Sequence, residues 1–362
     1  MMSQRLNQVI AEMINRRKTR MVLVGGVPIG GGSPVTVQSM LSVPASNIKR
    51  CVEQAKSLES AGCEILRTAV PDINAVKLIS ALKEAVSIPI VADIHFDYKL
   101  ALESAAAGAD KIRINPGNIG DESRIKAVVD ECKRRNIPIR IGVNSGSLEK
   151  EILARYGHPT AEALRDSAMY HVSLLEKFDF DKIVLSLKSS DVPTMVRAYE
   201  LISESCDYPL HLGVTEAGTE RMGLLKSAAG IGALLLKGIG DTIRISLTAN
   251  PVREVEAARD LLSGLGLRNN CATMVSCPTC GRTGIDLIKI ANQVEERLKN
   301  VKKPIKVAVM GCVVNGPGEA READVGIAGG QGKVVIFKKG QVVRTVDENL
   351  AVDELMKEIE LL

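Results

Sequence analysis

Lys111-Ile112-Arg113-Ile114-Asn115 and Pro138-Ile139-Arg140-Ile141-Gly142-Val143-Asn144 are the stretches that decide the fold. Both are short and rich in β-branched residues. Side chains along a strand alternate between faces, so Arg113 and Asn115 share one face and Ile114 takes the other. Arg140, Gly142 and Asn144 repeat this pattern, as do Arg244 and Ser246. A doubly wound open sheet buries its strands on both faces and has no use for polar residues inside them. A closed barrel, apolar outside beneath its helices and polar inside, accommodates them.

Similar runs lie at 35–38, 64–68, 89–95, 182–188, 209–215 and 242–248. The segments between them have helical patterns. Asn47, Asp121 and Asp191 stand at N-cap positions for helices over 47–61, 121–135 and 191–205. No hairpin signal joins successive strands, which predicts a parallel sheet. Eight strand–helix units within about 250 residues match a (β/α)8 TIM-type barrel. The barrel is expected over residues 1–264, with a linker at 264–270. A small α/β domain over 271–362 follows. It holds Cys277-Pro278-Thr279-Cys280, a helix near 286–299, a strand at 305–310 and the run Gly311-Cys312-Val313-Val314-Asn315-Gly316-Pro317-Gly318-Glu319. A hairpin around 338–341 and an acidic helix from Asp347 complete it.

Composition narrows the function. The 362 residues carry 47 basic and 43 acidic side chains, a net charge of +4, too mild for a nucleic-acid protein. Aromatic residues make up 2% with no Trp, so the core is aliphatic and base-stacking platforms are not expected. No run approaches about 20 apolar residues, and the first twenty residues lack the apolar stretch of a secretory signal. These features predict a cytoplasmic protein without membrane contact, whose eight cysteines are thiols or metal ligands rather than disulfides.

Barrel active sites form at the C-terminal ends of the strands. Arg67, Arg113, Arg140, Lys188 and Arg244 converge there, with Asp93, His95, Asn115, Asn144 and Ser246 beside them. One inward arginine can be a structural pair with a nearby Asp. Five cations together need a ligand to supply countercharge, because unpaired buried cations are costly. Arginine forks match phosphate oxygens, so the mouth is expected to bind a compact polyanion, most plausibly a diphosphate. Glu216, just past the seventh strand, reads as a proton donor or acceptor, against an N-cap or a salt bridge to Lys188 or Arg244. His95 is either a core histidine or a pocket residue.

Cys277-x-x-Cys280 followed by Cys312 makes a second constellation. Thiolates select zinc or iron–sulfur. Structural zinc usually takes four protein ligands, and no second cysteine pair or nearby histidine is present. Three cysteines suit an iron–sulfur cluster with one unusual iron, for which Glu319 is a candidate oxygen ligand and Cys271 a further possibility. A thioredoxin-like pair lacks its βαβ setting. Cys51, Cys63, Cys132 and Cys206 fall on barrel helices and read as small core residues.

At this point the chain resembles a known family, bacterial 4-hydroxy-3-methylbut-2-enyl diphosphate synthase of the methylerythritol phosphate route to isoprenoids. The resemblance spans nearly the whole chain. It is carried by Pro34-Val35-Thr36-Val37-Gln38-Ser39-Met40, Ala92-Asp93-Ile94-His95-Phe96, the run from Lys111 to Gly120, Gly142-Val143-Asn144-Ser145-Gly146, Gly213-Val214-Thr215-Glu216-Ala217-Gly218, the CxxC and the run from Gly311 to Glu319. It implies reductive opening of 2-C-methyl-D-erythritol 2,4-cyclodiphosphate by two electrons passing through a 4Fe–4S cluster, with ferredoxin or flavodoxin as donor. By the same resemblance Cys277, Cys280, Cys312 and Glu319 hold the cluster. Arg67, Arg113, Arg140, Lys188 and Arg244, aided by Asn144 and Ser246, hold the diphosphate. Glu216 transfers a proton, His95 lines the pocket, and the second domain is akin to a half-module of sulfite and nitrite reductases. The loop Leu41-Ser42-Val43-Pro44-Ala45-Ser46-Asn47 departs from the family's Thr/Asn/Asp-rich one.

Two alternatives from other classes stand beside this reading. A phosphate-ester barrel lyase or aldolase would use Lys188 as a Schiff-base amine and a structural zinc domain. A non-catalytic iron–sulfur sensor would not need the ring of cations. Chain geometry also bears on assembly. The last barrel helix delivers the chain to the end opposite the mouth, and a linker over 264–270 spans at most about 25 Å. A homodimer in which the cluster domain of one subunit caps the barrel of the other resolves the reach, and the family resemblance implies the same.

Overall fold

The computed structural model describes residues 14–268, 271–299, 301–312 and 320–362. Glu319 lies outside them. Two compact units are present, Ile14–Leu265 and Gly266–Leu362.

The first unit begins with a hairpin that the sequence reading passed over. Strands β1 (Val22–Val24) and β2 (Val27–Ile29) pair antiparallel. Gly25 and Gly26 turn between them at φ +51° and +90°. Two successive positive φ angles suit the Gly-Gly turns that match strand twist. At three residues each, the strands are too short to show alternation. Val24 and Ile29 are fully buried against Ile65 and Val91.

Eight parallel strands then follow in chain order: β3 (Thr36–Met40), β4 (Ile65–Ala69), β5 (Ile90–Asp93), β6 (Lys111–Ile114), β7 (Ile139–Asn144), β8 (Ile183–Lys188), β9 (His211–Leu212) and β10 (Thr242–Ile243). Each from β3 to β7 pairs with the next, and β10 pairs with both β9 and β3. A parallel bridge from Leu185 to Leu210 joins β8 to β9 and closes the ring. All eight expected strands are found. The last two are short, because the chain leaves regular pairing early at Gly213 and Arg244 to build the mouth. Helices Ile48–Ala61, Glu122–Arg135 and Val192–Ser205 start where expected: the side chains of Asn47, Asp121 and Asp191 accept from the backbone N–H groups of Arg50, Arg124 and Thr194.

The second unit is a mixed five-stranded sheet. Strands β11 (Thr273–Ser276), β12 (Lys306–Met310) and β13 (Val325–Gly329) run parallel, while β14 (Lys333–Lys338) and β15 (Gln341–Asp347) close it antiparallel. Helices Leu287–Leu298 and Ala351–Glu360 bury Leu287, Ile290, Val294, Leu355 and Ile359 with one face of the sheet. The sequence reading found β12, the hairpin and both helices but not β11 or β13. In β13, Val325-Gly326-Ile327-Ala328-Gly329, glycine replaces the β-branched residues that signal a strand. A Cβ on Gly326 would lie 2.5 Å from the Phe337 ring, so the sheet requires the residue that weakens its signature.

The hairpin seals the lower end of the barrel, so truncating it opens a cavity. Ile29→Ala is expected to destabilise the barrel by about 3 kcal/mol, read as a lower urea midpoint with an unchanged m-value.

Candidate active site

Strand register and the shear of a (β/α)8 barrel, roughly one residue per strand, sort the inward side chains into layers of four taken from alternate strands. Ile65, Lys111, Val184 and Thr242 form a low layer. Above it come Gln38, Val91, Arg140 and His211, then Arg67, Arg113, Ser186 and Arg244. Met40, Asp93, Gly142 and Gly213 follow, and Ala69, Asn115, Lys188 and Ser246 form the rim. The wall is therefore lined by cations through several layers.

Asp93 organises the upper half. Its carboxylate lies 3.1 Å from Arg113 Nη1 and 3.5 Å from Arg67 Nε. Burial pushes that carboxyl up, yet Arg67, Arg113 and Arg140 outweigh it and hold it at about 2. Burial lowers Arg67 to about 10, with Asp93 opposing the drop. Arg67 also points at Met40 Sδ, 2.7 Å from Nη2. Arg244 is held by Glu254, which lies in the first turn of helix Pro251–Gly264 and accepts from the Arg244 Nε and Nη2, each at 3.2 Å. Glu254 also receives Leu247 N–H and Ser39 O–H. Lys188 is buried, and burial followed by the charges of Arg67, Arg140, Arg244 and Arg113 pushes its amine well below the usual lysine range.

Two glycines make room for these heads. A Cβ on Gly142 would stand 2.6 Å from Arg113 Nε, and one on Gly213 would stand 3.3 Å from Lys188 Nζ. The space that the Arg113 head fills, and part of that beside Lys188 and the Arg244 carbonyl, is thus left by two missing side chains.

The inward placement of Arg67, Arg113, Lys188 and Arg244 agrees with the alternation read from the sequence. Arg140 sits lower than expected. It is 1% exposed, beneath the arginine layer, with Nη1 3.4 Å from Gln38 Oε1. Asn144 and Ser246 are half-buried at the rim. His95 is exposed and tilted against Phe96, with ring centroids 6.2 Å apart, which removes the core-histidine reading. Glu216 is exposed, with φ +51°. Among the described residues no ion pair involves it, and the following helix Glu220–Leu236 takes Thr219 as N-cap. Neither structural role considered for Glu216 is realised. A non-glycine residue in left-handed backbone marks a place where strain is tolerated, commonly at functional sites.

The sequence reading missed Lys111 and Glu254. Lys111 lies two residues before Arg113 on the same strand face, so alternation already aims it inward. Glu254 gives no such signal, since an acid in the first turn of a helix is ordinary.

Chemistry in the second unit gathers where two neighbouring parallel strands end. Ser276 pairs with Val309, so Cys277 and Gly311-Cys312 leave β11 and β12 side by side. Cys277 Sγ accepts a hydrogen bond from Gly311 N–H at 3.1 Å, and Gly284 N–H binds Gly311 O at 3.0 Å. Cys280 is exposed, and hydrogen bonds from the Arg282 backbone and side chain draw its thiol down. Cys271 precedes β11 at the opposite end, some 15–20 Å away by strand rise, which takes it out of this group. Among the described residues no three His, Cys, Asp or Glu side chains already surround one metal position. Thiol donors at one loop cluster, one of them receiving a backbone N–H, nonetheless have the chemistry of an iron–sulfur ligand set. Cys51, Cys63 and Cys132 are buried and Cys206 half-buried on the barrel. Burial raises all four thiols, Cys63 and Cys132 to about 12.

Residues 19–259 match the GcpE TIM-barrel domain and residues 273–361 the GcpE protein C-terminal domain. The chain belongs to the GcpE family. A relative from Bacillus cereus named 4-hydroxy-3-methylbut-2-en-1-yl diphosphate synthase (flavodoxin) is 55% identical over 351 residues, 97% of this chain and 95% of the relative. One from Bacillus velezensis with the same name is 56% identical over 353 residues, 98% and 94% of the two chains. Among solved structures, 3-dehydroquinate dehydratase from Geobacillus kaustophilus superposes with a TM-score of 0.51 at 14% identity, over 69% of this chain and 98% of its own. That likeness shows the barrel fold alone. The lyase or aldolase alternative finds no support in the GcpE relatives. No described helix is long and apolar enough to cross a membrane.

Gly142→Ala is expected to push the Arg113 guanidinium aside while leaving the barrel intact. Inorganic diphosphate should bind about tenfold more weakly or worse, measured by calorimetry, with the melting temperature within about 2 °C of the parent.

Proposed function

We infer that the chain catalyses the reaction for which its GcpE relatives are named. It converts 2-C-methyl-D-erythritol 2,4-cyclodiphosphate and two electrons into (E)-4-hydroxy-3-methylbut-2-enyl diphosphate, in isoprenoid precursor biosynthesis, with flavodoxin as the electron donor. It is an oxidoreductase. The observation that carries this is the identity of more than half of the residues over 97% of the chain. The excess of cations at the mouth and the cysteine turn support it as chemistry.

The reaction consumes two electrons and two protons, opens the cyclic diphosphate at its carbon–oxygen bond and releases one hydroxyl as water. Arg67, Arg113, Lys188 and Arg244 hold the diphosphate oxygens, with Asn144 and Ser246 fixing orientation at the rim and Arg140 adding charge from below. His95 lines the approach. Glu216, unpaired among the described residues and set on strained backbone, holds the proton that the departing hydroxyl takes up. Cys277, Cys280, Cys312 and Glu319 would hold a 4Fe–4S cluster, which supplies electrons one at a time and an exchangeable iron. Glu319 lies outside the described residues, so its place in the set rests on the family resemblance. The helix Pro251–Gly264 returns the chain toward the sealed end of its barrel. This supports a homodimer in which the cluster domain of one subunit serves the mouth of the other.

Turnover of the cyclodiphosphate by anaerobically reconstituted protein with reduced flavodoxin tests the reading directly; a colourless protein without turnover overturns it. Cys277→Ala should lose iron and sulfide. Glu216→Gln should keep the cluster and the substrate KM but lose at least about 100-fold in kcat. Mixing Glu216→Ala with Cys277→Ala protein, with subunit exchange confirmed, should restore activity. No recovery at any ratio would exclude the shared site.

Substrate binding should also draw in protons. Burial and the neighbouring guanidinium charges hold the folded Lys188 amine well below its ordinary value, which favours its neutral form. A bound diphosphate favours the ammonium form, and protonation accompanies binding. Calorimetry in buffers of different ionisation enthalpy should show net proton uptake at pH 8 that disappears in Lys188→Met. Proton release would contradict the assignment.

A further inference from the structure

Beneath the arginine layer the barrel holds a second group of buried polar side chains, of which Arg140 alone also serves the diphosphate site. Lys111 and His211 are 0% exposed and Gln38 and Arg140 are 1% exposed. They occupy two adjacent layers of the inner wall, which they share with Ile65 and Val91, and the hairpin residues Val24 and Ile29 pack against those two apolar side chains. Lys111 Nζ, Arg140 Nε, Gln38 Nε2, His211 Nε2 and, one layer lower, Thr36 Oγ1 have no hydrogen-bond partner among the described residues. Buried polar groups are rarely left so, and five in one enclosure require a common cause.

Every free group in this enclosure can donate. Gln38 Oε1, the amide's acceptor, is already taken by Arg140 Nη1. His211 Nδ1 lies 3.4 Å from Thr242 Oγ1. With the hydroxyl donating to Nδ1, the neutral ring carries its proton on Nε2, aimed at the chamber; this tautomer is an assignment from the network. Charge points the same way. Asp93 is engaged by Arg67 and Arg113, and Glu254 by Arg244. Lys111 and Arg140 therefore have no ion pair of their own among the described residues, and Asp93, whose charge reaches Arg140, is already shared by two other guanidinium groups.

We propose that the lower barrel binds one small monovalent anion, of chloride size, between Lys111, Arg140, His211 and Gln38. A halide accepts from every direction and donates to none, as the donor set demands. It also occupies about the space of one water molecule, which suits a closed core better than a polyatomic oxyanion. The ion would be a permanent constituent of the barrel floor, separate from the diphosphate above it, and its presence does not depend on the proposed reaction.

Long-wavelength diffraction from crystals of the holoprotein grown in chloride tests this, together with bromide-exchanged crystals at the bromine edge. An anomalous peak beside Lys111 and Arg140 is expected in both and should be absent in Lys111→Met. Density of water weight without anomalous signal in either halide overturns the proposal and assigns the chamber to water and a neutral lysine. A second measurement needs no crystal. Replacing chloride with gluconate at constant ionic strength should lower the barrel's melting temperature by about 5 °C in the parent protein and leave Lys111→Met unaffected. An equal response in both proteins counts against the site. If Lys111→Met does not fold, Gln38→Leu takes its place, and the anomalous maps of the parent protein remain decisive.

Discussion

Asp93 sits between Arg67 and Arg113, and the upper barrel depends on that shared ion pair. A single carboxylate between two guanidinium groups fixes both heads without neutralising both charges. Removing it would leave two desolvated cations without a partner, a far larger penalty than the loss of one surface pair. Glu254 does the same for Arg244 from the helix side. The wall is thus rigid and still electropositive, which is the condition for catching a polyanion with little reorganisation.

Much else in the first unit serves this arrangement. Gly142 and Gly213 give up side chains so that Arg113 and Lys188 have space. The Val22–Ile29 hairpin excludes water from below, which keeps the dielectric low and the charges strong. The short β9 and β10 release the chain early, so that Glu216 and Ser246 lie on loops at the rim. In the second unit the parallel pairing of β11 and β12 performs the comparable task, placing Cys277 beside Gly311 and Cys312 although they are more than thirty residues apart.

The polar face of the barrel was legible because alternation is local: Ile114 between Arg113 and Asn115 states its own geometry. Lys111 obeyed the same rule, but a lysine at the start of a strand resembles an exposed end residue, and only closure of the ring shows that this position is interior. The depth of Arg140 was hidden for a related reason. Height inside a barrel depends on shear, a property of all eight strands together, whereas a sequence displays them one at a time. The Glu254–Arg244 pair needed the tertiary structure outright. Strand β13 was concealed by glycines whose purpose, close contact with Phe337, is visible only across the sheet.

The two populations of cysteine differ in more than location. Burial keeps the thiols of Cys63 and Cys132 protonated at any physiological pH, while Cys280 is exposed and its sulfur drawn toward the thiolate form. Nucleophilicity and metal affinity both belong to the thiolate. An incoming iron ion, an alkylating reagent or a peroxide therefore meets a protein in which the Cys63 and Cys132 sulfurs are withheld and the Cys280 sulfur is offered. Reaction at sulfur is thereby steered away from the buried barrel thiols and toward the cysteine turn.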